Sequence, residues 1–121
     1  MDYKFINTEY LLSVSGGDLN IIKEIVSIFR EQVVEMFEEM KSLLADNNYT
    51  SLGLLAHKAK SSVAIMGMDD LATMLKTFEL QAKDGKDANL YESYIVRFRK
   101  ETDGAVKELD NFINNREQTA K

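Results

Sequence analysis

Cysteine, proline and tryptophan are absent from this chain, and histidine occurs once. Without cysteine there are no disulfides, no thiolate metal sites and no cysteine nucleophile. A chain of 121 residues without proline, rich in Leu, Ile, Met, Glu and Lys, points to an all-α fold. No apolar run approaches the length that spans a bilayer. The N-terminal stretch MDYKFINTEYLL lacks the basic-then-apolar pattern of a secretory signal. The expected location is therefore the cytoplasm, with no membrane partner. Positive charge is also in deficit: 15 Lys and Arg against 20 Asp and Glu give a net charge of −5. No basic cluster interleaves with aromatics, so nucleic acid, whose phosphates need a basic face, is excluded as a partner.

What is present is an ordinary globular composition, 45% apolar and 29% charged. The length suits a single domain over residues 1–121. Residues Asn20 to Leu44 carry Ile22, Ile25, Phe29, Val33, Met36, Met40 and Leu43 at three- and four-residue steps, one face of a long helix. Asp18 is placed to cap it, and Gly16-Gly17 turns the chain out of a short helix at about residues 8–13. Asp46-Asn47-Asn48 supplies a turn, with Asn48 capping a second long helix that ends near Met66. Gly67 closes that helix, and Asp69 is the expected cap of the third, which turns Leu71, Met74, Leu75, Phe78 and Ala82 inward and stops at Asp84-Gly85. Asp87 is the expected cap of the fourth, whose stripe is Tyr91, Tyr94, Ile95, Phe98, Thr102, Ala105, Leu109 and Phe112. The polar residues 114–121 are expected to fray. Short connections between long amphipathic helices predict an antiparallel up-down four-helix bundle over about residues 18–113, with a short extra N-terminal helix.

At about 100° per residue, Leu52, Leu55, Ala56, Ala59, Ser62, Val63 and Met66 share the core face of the second long helix. His57, the single histidine, falls nearly opposite. Its strip carries Gly53, Lys60, Ser61 and Ala64, small residues with one lysine. A packed core histidine does not fit this placement, although an idle surface histidine does. Exposed helix faces more often carry long charged side chains. A zinc site would need several carboxylates beside a lone histidine, and a bundle di-iron site wants two Glu-x-x-His pairs. An exposed imidazole, much of it neutral near pH 7, can instead attack a phosphoryl group that a close-fitting partner presents. Lys60, one turn away, can offset phosphate charge. The convex strip suits a macromolecule better than a small substrate.

The pattern Ala56-His57-x-x-Lys60-x-Ser62, followed by Gly67, Leu71, Leu75 and Glu79, resembles the histidine-containing phosphotransfer (HPt) domain of phosphorelays. The glycine ten residues after the histidine and the leucine ladder make the likeness more specific than His-x-x-Lys alone. The resemblance implies a helical bundle whose His57 accepts a phosphoryl group from a receiver-domain aspartate and passes it to another. It implies Lys60 as the charge-balancing lysine and Glu79 as a hydrogen-bond partner of the imidazole from the neighbouring helix. Lys83, one turn beyond Glu79, would add charge at the rim. The bland reading of both is solvated surface charge. Gly53, Leu54, Ser61, Ala64 and Ile65 would meet the partner. For Leu54 and Ile65 the structural alternative is packing against the third or fourth long helix.

Ser61 departs from the family, which usually has glycine immediately after the lysine, and this bears on partner choice. The implied partners are the receiver domains of a hybrid sensor kinase and a response regulator, with Mg2+ bound in the receiver. The chain itself would be a monomeric covalent carrier with no cofactor and no autokinase activity. Three rivals stand beside it. A sensor-kinase phosphoacceptor domain typically has an acidic residue after the histidine and a proline further on. Lys58 follows here, and no Gly-rich ATP segment is present. A noncatalytic adaptor would bind receivers without carrying phosphate. The third rival is a metal or haem bundle.

Overall fold

The computed structural model of the chain describes residues 3–120. It contains five α-helices and, among the described residues, no strand: α1 (Glu9–Ser15), α2 (Leu19–Ala45), α3 (Tyr49–Ile65), α4 (Asp69–Asp84) and α5 (Tyr91–Ala120). The all-α expectation holds. Four long helices form a ring, α2 against α3 and α5, and α4 against α3 and α5, with α1 lying on α2. Contacts between α2 and α5 run in opposite order along the two helices. Lys23 pairs with Glu117, Arg30 with Asp110, and the Arg99 guanidinium lies over Phe37. That order makes the pair antiparallel.

Local chemistry explains most boundaries. The Asp18 carboxylate accepts from the N–H groups of Asn20 and Ile21, and Asn48 accepts from Ser51 N–H. Both satisfy donors that a helix start leaves open. Gly16 closes α1 at φ 62°, and Gly67 follows α3 at φ 71°. Gly67 also has no room for a side chain, since a Cβ there would sit 2.5 Å from the backbone oxygen of Asn7. That close approach lets Asn7 N–H donate to the Met66 carbonyl at 3.0 Å.

Three expectations need correction. Asp69 is the first residue of α4 and does not cap it. Met68 holds the cap position without a side-chain bond, and Asp69 and Asp70 instead place negative charge in the first turn, where the helix dipole favours it. Asp87 does not cap α5 either. It adopts a left-handed conformation (φ 57°), and its carbonyl accepts from Leu90 N–H in a 3-10 turn, Ala88–Leu90, that leads into α5. Finally, the polar tail does not fray at residue 114, for α5 continues to Ala120. Its last turns are held by the ion pair of Glu117 with Lys23 and by Arg116 over Phe112. Lys121 lies outside the described residues.

The core holds Phe78, Tyr91 and Phe98 at its centre, with Leu52, Val63, Leu71, Leu75 and Leu109 around them. Val26 is buried in α2, whereas Ile25 and Leu43 are only partly so. A second device ties the N-terminal segment down. The Glu108 carboxylate accepts from the backbone N–H groups of Lys4, Phe5 and Ile6 at 2.8, 2.9 and 3.1 Å. The Phe5 ring fills the notch left by Gly104, where a Cβ would meet it at 2.4 Å.

Candidate functional site

His57 projects from the middle of α3, and its side chain is 57% exposed. The core face of the same helix forms as its spacing predicts, with Leu52, Leu55, Ala56, Ala59, Val63 and Met66 buried. Ser62 is half-buried at the edge of that face, where its hydroxyl donates to Gln32 of α2 at 3.3 Å.

The residue that defines the site chemically is Glu79 of α4. Its side chain is only 3% exposed, and its Oε1 lies 3.1 Å from His57 Nδ1. Lys83 Nζ donates to Oε2 at 2.9 Å. Lys60 Nζ and Lys76 Nζ stand 3.6 and 3.8 Å from Oε1. The Lys83 hydrogen bond is the main force lowering the Glu79 pKa, opposed by burial and assisted by His57 and Lys76. The result falls from 4.5 to about 2. The carboxylate is therefore ionised near neutral pH and can only accept hydrogen bonds. A neutral His57 must then carry its proton on Nδ1 to satisfy the contact, which leaves the Nε2 lone pair free and facing outward.

Gly53 does not belong to the exposed strip. It is buried where α3 crosses α4, and a Cβ there would lie 3.2 Å from the Glu79 carbonyl oxygen and 3.3 Å from Lys83 N. The expectation that it touches a partner is replaced by a structural one: its missing side chain brings α4 close enough for Glu79 to reach His57. Lys83, expected at the rim, is tied to Glu79 through its charged head. Lys60 is half-buried on the other side of the imidazole.

Ser61, Ala64 and Leu54 are exposed, Leu54 by 59%. Ile65 is 38% exposed. It lines a shallow groove of about 170 Å³ against α2 with Ile25, Ile28, Phe29 and Gln32. The strip beside His57 is thus continuous on that side with an apolar edge that includes Ile28, 49% exposed.

Lys76 was not singled out from the sequence, although its signal was there. Lysines three residues before and four after Glu79 fall on the same helix face as the carboxylate. Among the described residues, no helix is long and apolar enough to cross a membrane. No group of three or more His, Cys, Asp or Glu among them could hold a metal ion.

A family model described as the Hpt domain matches residues 24–117, which include the whole of the His57–Glu79 site. No curated protein and no solved structure matches the chain significantly.

Proposed function

From the premise that the chain belongs to the Hpt domain family, a helical module of histidine phosphotransfer in two-component systems, we propose that His57 is its phosphoacceptor. In this reading Nε2 attacks the phosphorus of a receiver's aspartyl phosphate in line with the departing carboxylate. The same geometry, reversed, delivers the group to the aspartate of a second receiver. The observation that carries the reading is the pairing of an exposed imidazole with a buried, ionised carboxylate at 3.1 Å. That pairing fixes the tautomer and turns the nucleophilic nitrogen outward.

The remaining roles follow from position. Lys60 balances charge on the phosphoryl group, and Glu79 orients the ring. Leu54, Ser61, Ala64 and Ile65 form the face that a receiver domain covers, with small side chains near His57 and apolar ones at its edge. Transfer proceeds through a loose transition state whose charge needs positioned cations. The Mg2+ that meets this need belongs to the receiver, and the chain adds its lysines. The protein acts as a monomeric cytoplasmic carrier between a hybrid sensor kinase and a response regulator, without autokinase activity.

The test is incubation with phosphorylated receiver domains, following label onto the chain. Wild type should acquire acid-labile label, and His57→Gln should acquire none. Acid-stable label, or label that persists in His57→Gln, would overturn the assignment. A wild-type chain that binds receivers but takes no label would be an adaptor.

A further inference from the structure

The site holds more positive charge than its resting state uses. Around one carboxylate stand three ammonium groups and the His57 imidazole, which with the ring in its nucleophilic, neutral form sum to two positive charges. The two oxygens of Glu79 are not used alike. Oε2 takes Lys83 alone at 2.9 Å, a charge-assisted hydrogen bond within one turn of α4. Oε1 takes His57 at 3.1 Å, and Lys60 and Lys76 approach it only to 3.6 and 3.8 Å, beyond hydrogen-bond length. Lys83 is anchored. Lys60 and Lys76 are loosely held, and half of the Lys76 side chain is in solvent.

Position separates them in the same way. Gly53 of α3 lies against Lys83 of α4, and His57 lies against Glu79. The two helices therefore run antiparallel, and one turn further along, position 60 comes opposite position 76. Lys60 and Lys76 reach the carboxylate from the same end of the imidazole, one from each helix. Lys83 approaches from the other end.

Building on the phosphoacceptor role of His57, we propose that Lys76 is a second phosphoryl-binding lysine, which leaves Glu79 together with Lys60 when the phosphoryl group arrives, while Lys83 stays behind to hold the carboxylate. The step balances. The P–O bond to the receiver aspartate breaks as the Nε2–P bond forms, the aspartate departs as a carboxylate, and the ring keeps its Nδ1 proton. The product has a positive ring against negative Glu79 and two negative charges spread over three phosphoryl oxygens. Lys60 and Lys76 supply one counter-charge each. Without Lys76 one of those charges is left to solvent.

The experiment is the transfer equilibrium between a phosphorylated receiver domain and the full chain, read as the share of label on His57. Lys76→Gln keeps a good helix former and removes only the charge. It should lower the equilibrium constant for phospho-His57 about fivefold at low salt, with the deficit shrinking as salt rises. Lys76→Arg should stay within about twofold of wild type. The unphosphorylated Lys76→Gln chain should keep the wild-type His57 ring 15N shifts, which a lysine that merely positioned the Glu79–His57 pair would move. An equilibrium constant for Lys76→Gln equal to that of wild type, or a loss that Lys76→Arg does not rescue, overturns the lysine assignment alone. A wild-type chain that takes no label at His57 overturns the phosphoacceptor reading on which it rests.

Discussion

Gly53→Ala tests whether the approach of two helices, rather than any single polar residue, sets the reactive state of His57. The added Cβ would stand 3.2 Å from the Glu79 carbonyl oxygen, 3.2 Å from Lys83 Cγ and 3.3 Å from Lys83 N. The Cγ can rotate away, but the other two atoms are backbone and yield only if α4 retreats by a few tenths of an ångström. Overpacking of this kind costs about 1–3 kcal/mol. The better helix propensity of alanine returns about 1 kcal/mol. The net loss is about 0–2 kcal/mol, a fall in melting temperature of at most roughly 10 °C for a domain of this size. The functional consequence is more selective. Lys76 and Lys83 ride on α4 and move with Glu79, so the contacts weakened are those made across the helix interface by His57 and Lys60. Ring 15N shifts of His57 should show the Nδ1–H tautomer dominant in wild type and a mixture of the two tautomers in Gly53→Ala. Phosphoryl uptake from a receiver should slow several-fold. Wild-type tautomer populations in a folded Gly53→Ala chain would refute the idea that this crossing positions the ring.

Two further outcomes follow from other contacts. Because the Glu79 pKa is lowered from 4.5 to about 2 on folding, its contribution is fully present above about pH 4.5 and is lost as pH falls through the folded value. With the half-exposed lysine heads screened by solvent, that contribution is about 1–2 kcal/mol. Urea unfolding should therefore show wild type losing more stability than Glu79→Gln on going from about pH 7 to about pH 2. Equal losses would show that the lysines do not stabilise the carboxylate. In Glu108→Gln, an amide donor replaces one of the oxygens that accept from Lys4, Phe5 and Ile6. The exchange should cost about 1–2 kcal/mol and accelerate hydrogen exchange at those three amides. Unchanged protection there would mean that Phe5 in the Gly104 notch holds the segment alone.

The helices were legible because each long one has a stripe with a period near 3.6, and because Asp18, Asn48 and Gly67 punctuate them by local chemistry that needs no tertiary context. The errors came where context decides. Asp69 and Asp87 have the right side chain for a cap, yet the chain enters α4 one residue earlier and reaches α5 through a 3-10 turn. The sequence after residue 113 is polar because α5 meets α2 there through charge, Glu117 with Lys23, and polarity alone does not distinguish a docked helix end from a loose one. Glu108 and Gly104 carry no local signature, since the N-terminal segment that they hold lies about a hundred residues away in sequence.

The site was legible on one helix and obscure between two. A wheel drawn for α3 alone puts His57 outward, and the structure agrees. The same wheel puts Gly53 on the outward strip, only one turn from His57, and there it fails. Whether a flank residue is exposed depends on where the neighbouring helix crosses, and a glycine invites the crossing. The consequence reaches the chemistry. A carboxylate left in water beside a histidine would make a weak contact, shared with solvent. Glu79 is sealed by the crossing at Gly53 and kept ionised chiefly by Lys83, so it holds the ring without itself being exposed. The small residue that looked like room for a partner is room for α4, and the small residues of the strip that stay exposed are Ser61 and Ala64.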